Sequence, residues 1–117
     1  MKRFLFVLTK PPHSGTYAQE LLDFILTTAA FDQEVALLLL DDGVFQLKKQ
    51  QQPVDGGKDT AAVFKALELY DVTTLYVERE SLAERGLAVD DLLLPVNICE
   101  RKDVALLMRQ FDRVFGG

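Results

Sequence analysis

One cysteine, Cys99, and one histidine, His13, are all that the 117 residues offer of the side chains that most often handle sulfur, metals and protons. A lone cysteine excludes an internal disulfide framework and a multi-cysteine metal site. Long apolar runs are missing too: Phe4–Leu8 and Val35–Leu40 fall far short of the roughly 20 residues that span a bilayer. Neither G-x-G-x-x-G nor G-x-x-x-x-G-K-[ST] follows the first apolar run, so the common phosphate-cradling fingerprints are absent. Clustered positive charge is scarce. The formal net charge is −5, the basic residues are scattered, and the tightest group, Lys48-Lys49, sits in a Gln-rich stretch. Displacing counterions from nucleic-acid phosphates takes a denser cationic surface, so no direct nucleic-acid contact is expected. The start, Met1-Lys2-Arg3 before Phe4–Leu8, imitates a secretory signal. Its apolar stretch is too brief, and Pro11-Pro12-His13 is no small-residue cleavage site. It reads as the first strand of a cytoplasmic protein.

What is present has a clear rhythm. Phe4–Thr9 and Val35–Leu40 are continuous apolar runs, the pattern of strands buried on both faces. Between them Tyr17, Leu21, Phe24, Ile25, Thr28 and Ala29 recur at helical spacing, with Ser14 or Thr16 available as a cap. This is a βαβ unit, expected to be right-handed. Asp41-Asp42-Gly43 begins a loop with a helical turn around Val44–Leu47, and Asp59 or Thr60 starts a second helix with Val63, Ala66, Leu67 and Tyr70 on one face. Thr73–Val77 is the third strand. Ser81 and Glu84 then have the spacing of a capping box for a short helix Leu82–Arg85, which Gly86 stops. Leu92–Ile98 reads as a fourth strand, lying partly at an edge because of Pro95. A last helix carries Val104, Leu107, Met108 and Phe111, and Phe111–Phe115 either continues it or forms a fifth strand. No internal repeat or interdomain linker interrupts residues 1–117. The expectation is a single three-layer α/β domain, its sheet mostly parallel, helices on both faces and strand order 2-1-3-4-5.

Candidates for chemistry are few. Asp41-Asp42 invites comparison with phosphoryl-accepting receiver domains, but there the acidic pair follows strand one and an Asp follows strand three. Here the pair follows strand two, and Glu78 ends strand three. Asp-Asp-Gly is more simply turn chemistry. His13, in a loop after the first strand, is of the residue type that serves as a general base near neutral pH, yet no nucleophile accompanies it, and the favoured reading is a residue that fixes the turn. Cys99 is the only thiol. Arg101, Lys102 and a helix start could lower its pKa, while a free cysteine at a strand end is more often a small buried hydrophobe. No cofactor or metal is expected.

Several short motifs then fall in one order: Pro12-His13, Glu20-x-Leu22-Asp23, Asp42-Gly43-Val44-Phe45-Gln46-Leu47, Leu69-Tyr70-Asp71-Val72 and Ser81-Leu82-x-x-Arg85-Gly86-Leu87. Together they resemble the TusC/DsrF branch of the DsrE-like sulfur-relay family, over most of the chain and more weakly after Val89. The resemblance implies a hetero-oligomer with TusB-like and TusD-like subunits. That assembly passes persulfide sulfur toward 2-thiolation of the tRNA wobble uridine. A DsrF-like role in sulfur oxidation, a homo-oligomer, and a stand-alone enzyme using His13 with Asp41 and Asp42 are the alternatives. The resemblance also implies that Glu78 stands where the carrier subunit has its sulfur-carrying cysteine. A carboxylate cannot hold a sulfane sulfur, so this strand end reads as a surface of a non-catalytic subunit. Candidate interface or pocket residues are His13, Asp41, Asp42, Val44, Phe45, Leu47 and Arg79. Of these, Val44, Phe45 and Leu47 are expected to supply an apolar interface centre within a polar rim.

Overall fold

The computed structural model describes residues 2–10, 17–31, 33–48, 67, 69, 71–92 and 94–116, with backbone alone at 17–19 and 22. In chain order these form β1 (Arg3–Leu8), α1 (Tyr17–Ala30), β2 (Glu34–Leu39), a 3-10 segment (Asp41–Leu47), β3 (Thr74–Glu78), α2 (Arg79–Glu84), β4 (Asn97–Cys99), α3 (Val104–Met108) and β5 (Arg113–Gly116). Short 3-10 turns also occur at Val89–Asp91 and Arg101–Asp103. The expected helix from Asp59 lies outside the described residues, apart from a buried Leu67. His13 and the candidate caps Ser14 and Thr16 lie outside them as well.

The five strands form one sheet, and all its pairings are parallel. Their order is β4-β3-β2-β1-β5. This corrects the expected 2-1-3-4-5, in which β1 lay between β2 and β3: here β2 lies between β1 and β3. Right-handedness fixes the hand of each crossover but leaves open on which side the next strand is added. Here β1, β2, β3 and β4 all step the same way. The chain then returns across the sheet, so that β5 pairs with the free side of β1.

That reversal explains the layers. Crossovers of one hand that step one way share a face, and a step back puts its helix on the other. On the first face Phe6, Leu8, Val35, Leu37, Leu39, Leu75 and Val77 pack with Ile25 of α1 and Leu82 of α2. On the second, Leu5, Val7, Ala36 and Leu38 pack with Leu107 of α3 and with Phe111. Because β1 and β2 are apolar at every inward position of both faces, they can only be central strands. Phe24 fits less completely than its helical spacing suggests. Its ring meets Phe6 edge-on and lies against Phe115, yet half of the residue is exposed.

The fourth strand is shorter than its apolar run. Leu92 forms an isolated antiparallel bridge with Lys48, and only Asn97–Cys99 joins the sheet, as its edge. Pro95, unable to donate to a ladder, separates the two. At the other end the chain leaves α3 and pairs as β5. No helix among the described residues is long and apolar enough to cross a membrane.

Candidate functional site at the carboxyl ends of β2, β3 and β4

The sequence Glu78-Arg79-Glu80-Ser81 turns from strand to helix without a break. The cap of α2 is Glu78, with extended backbone, and no side chain caps the helix. The capping box expected from Ser81 and Glu84 is therefore not formed; Ser81 lies inside α2. Its hydroxyl is engaged elsewhere, donating to Glu78 Oε1 at 2.5 Å and accepting the Asp41 N–H at 2.8 Å. The expected stop at Gly86 is present. Its φ is +67°, and the N–H groups of Gly86 and Leu87 bond the carbonyls of Ala83 and Leu82, a Schellman closure.

Glu78 is the centre of the arrangement. Its side chain is only 5% exposed, so the strand end is not the open surface expected from its charge. Oε1 accepts bonds from Ser81 and from Arg101 Nε and Nη2, at 3.2 and 2.9 Å. The same guanidinium bonds both carboxylate oxygens of Glu84, at 3.2 and 2.8 Å, and the Arg101 N–H bonds Glu80 at 2.9 Å. Burial pushes the Glu78 carboxyl up. Hydrogen bonds from Arg101 and Ser81, with the Arg101 charge, outweigh it and hold the group below the ordinary carboxylate range. Glu84 is lowered chiefly by its bonds from Arg101. Arg101 is held charged by Glu84 and Glu78.

Asp41 and Asp42 leave β2 beside this cluster and are exposed. Asp41 takes a left-handed φ of 51°, and Asp42 bonds Arg85 Nε at 2.9 Å. Gly43 is required by its surroundings: a Cβ there would lie 1.9 Å from the Leu8 carbonyl oxygen. That close approach folds the 3-10 segment inward. Val44 and Leu47 are fully buried in the core of this same chain, which corrects their expected place at an interface. Phe45 is half-buried. Gln46 is wholly buried as well; its Nε2 donates to the Lys10 carbonyl, while Oε1 has no partner among the described residues.

Cys99 stands opposite Glu78 in the β3–β4 register and is half-buried against the second-face core. Burial pushes its thiol up, and Glu78, Glu80 and Asp103 push it further. The direction is opposite to the alternative in which Arg101 and Lys102 lower it, and goes with the favoured reading of a half-buried structural cysteine. Arg101 is taken up by Glu78 and Glu84, and Lys102 pairs with Glu100 at 3.3 Å. Arg79 is mostly exposed and makes a loose 3.6 Å pair with Glu100. The structure thus assembles Asp41, Asp42, Glu78 and Arg79 at one end of the sheet, and sequence reasoning missed Arg101, Ser81 and Arg85. Among the described residues no group of three or more His, Cys, Asp or Glu side chains could hold a metal ion. At this end of the sheet the Glu78 and Glu84 carboxylates are paired with Arg101, and burial with acidic neighbours raises the Cys99 thiol.

An all-parallel α/β sheet covered on both faces, its strand ends closed by ion pairs, defines the class. The chain belongs to the DsrE/DsrF-like family, whose model matches residues 2–116. It is 43% identical over 94 residues to the "Intracellular sulfur oxidation protein DsrF" of Allochromatium vinosum, covering 80% of this chain and 69% of that protein. It is 40% identical over 111 residues to the "Protein TusC homolog" of Pseudomonas aeruginosa, covering 94% and 93%. Among solved structures the ychN protein of E. coli superposes over 100% of both chains with a TM-score of 0.84 at 18% identity, a likeness of fold.

Proposed function

We propose that this chain is a catalytically silent subunit of a sulfur-relay complex. It holds TusB-like and TusD-like partners in register while they pass persulfide sulfur, in the cytoplasm, toward 2-thiolation of the tRNA wobble uridine. One observation carries the reading: Glu78, in the position that the family resemblance gives to a carrier cysteine, is buried and ion-paired with Arg101. Relay chemistry needs a thiolate that attacks sulfur, and a locked carboxylate has no such chemistry. Cys99 supplies no substitute, because burial and acidic neighbours keep its thiol protonated. The near full-length likeness to a TusC homolog supports the tRNA branch. The likeness to a protein named for sulfur oxidation supports a DsrF-type role as the second reading.

Purification from the native cell, with identification of the associated chains, tests both. TusB-like and TusD-like partners are expected, and Phe45→Ala in the half-buried 3-10 segment should weaken their association by about 2 kcal/mol while the melt changes little. Recovery with sulfur-oxidation partners would favour the second reading. A persulfide trapped on Cys99, with relay lost in Cys99→Ser, would overturn the silent role.

A further inference from the structure

Glu78 and Glu84 both pair with Arg101, yet the guanidinium meets them in different ways. It grips Glu84 as a fork, Nη1 on one oxygen at 3.2 Å and Nη2 on the other at 2.8 Å, the geometry in which arginine recognises a whole carboxylate. At Glu78 its Nε and Nη2 both turn to one atom, Oε1, at 3.2 and 2.9 Å. The Ser81 hydroxyl donates to that atom too, at 2.5 Å. Among the described residues every hydrogen bond to this side chain ends on Oε1. The arrangement at residue 78 therefore recognises one charged atom, and the second oxygen of the carboxylate takes no part in it.

The donors are held in place by other contacts. Ser81 Oγ accepts the Asp41 N–H at 2.8 Å, which leaves its single proton to point at residue 78. Arg101 is fixed separately by Glu84 and, through its own N–H, by Glu80 at 2.9 Å. The charged groups that face the recess are Arg101, which favours an anion, and Glu84, which opposes one; the anion prevails, as the lowered Glu78 carboxyl shows. Donors set in advance favour any group that puts one negative atom at this point. A cysteine persulfide is such a group. Its terminal sulfur ends two long bonds from Cβ, the outer about 2.05 Å, where a glutamate oxygen ends three shorter ones, and it ionises more readily than a thiol. A bare thiolate stops one atom short.

We infer that Ser81 and Arg101 form a recess for a single anionic atom at the tip of residue 78, and that Glu78 Oε1 stands in it for the terminal sulfur of a persulfide. The chain is thereby held in the form that a sulfur-loaded one would take. The junction of α2 with β4 keeps that one form whether partner subunits are loaded or empty. This rests on the reading of residue 78 as the carrier position and says what occupies it; the recess itself is a property of the isolated chain.

Glu78→Cys in a Cys99→Ser background gives the full chain one thiol, at the position in question. It is loaded in urea with an excess of glutathione persulfide and refolded by dilution. The thiolate attacks the outer sulfur of the donor R–S–SH, and a new S–S bond forms as the donor's breaks. Glutathione leaves as its thiolate, and the transferred SH releases its proton to solvent. Urea unfolding then compares the thiol and persulfide forms. Loading is expected to raise the folding equilibrium constant about tenfold, the worth of one charge-assisted bond, and Arg101→Gln or Ser81→Ala should remove most of the gain. A neutral methyl disulfide, made on the same thiol with methyl methanethiosulfonate, should give none. No gain on loading, a gain that survives Arg101→Gln, or an equal gain from the neutral adduct overturns the inference. If the cysteine variant does not fold, Glu78→Ala carries the test. Formate should raise its urea midpoint and leave wild type and Glu78→Ala/Arg101→Gln unmoved; no effect, or the same effect in all three, overturns the recess. Neither experiment involves partners, so a failed co-purification of TusB-like and TusD-like chains and a failed recess are told apart.

Discussion

Replacing Glu78 by Gln keeps the shape of the side chain and removes its charge, so the variant isolates what the buried carboxylate does. In the native chain one oxygen accepts from Ser81 and twice from Arg101. Charge-assisted bonds of this kind contribute about 1.5–3 kcal/mol, against about 1 kcal/mol for neutral ones. Losing a buried pair outright costs about 3–5 kcal/mol when both partners are dry. Arg101 is 47% exposed, however, and can rehydrate. The net loss for Glu78→Gln at pH 7 is then about 1–2 kcal/mol. Urea unfolding should read it as a lowered midpoint with an unchanged slope. The sign of the pH dependence is fixed by the downward shift. A carboxyl whose folded pKa lies below its unfolded value stabilises above the unfolded value, about 4.3, and loses that contribution as pH falls through the folded one. The gap between wild type and variant should therefore narrow steadily as pH falls below about 4. A gap that does not narrow on acidification, or no gap at pH 7, would refute the account of Glu78.

Gly43→Ala should destabilise by about 3 kcal/mol, because the new methyl meets the Leu8 backbone rather than a side chain that can turn away; a normal melt would show that the 3-10 segment sits further from β1. Cys99 in the folded chain should react with iodoacetamide at pH 7.5 several times more slowly than in the urea-unfolded chain, and the rate should still rise above pH 9, as expected of a thiol pushed up by burial and three carboxylates. Faster reaction in the folded chain would contradict that environment.

The strands were readable because β1 and β2 are apolar runs buried on both faces and β3 carries the aromatic and β-branched run Leu75-Tyr76-Val77. Their order was not, since handedness leaves the direction of each step free and only the packing of α3 on the second face resolves it. Ser81 matches a capping box in sequence, but its partners in space include Asp41, forty residues earlier. Glu78 looked like the start of a charged surface because Arg101 and the close of the β4 edge lie 23 residues downstream. Local periodicity carries no information about such pairs. Val44 and Leu47 likewise read as an apolar patch among charges, and only the contact of Gly43 with Leu8 turns them inward.

Arg101 has a consequence for how the domain opens. β4 holds its place with three register pairs, Tyr76–Asn97, Val77–Ile98 and Glu78–Cys99, too few to persist alone. Immediately after it the Arg101 N–H is fixed to Glu80 and its guanidinium to Glu78 and Glu84, so the strand is pinned to α2 at its exit. Local stability here rests on charge rather than on buried apolar area. Acid would neutralise both carboxylates and let β4 fray as a separate unit while the apolar centre around β1 and β2 stayed closed. The amides of Asn97–Cys99 would then exchange with solvent through a small, proton-gated opening, and those of Leu37 and Leu38 only through unfolding of the whole domain.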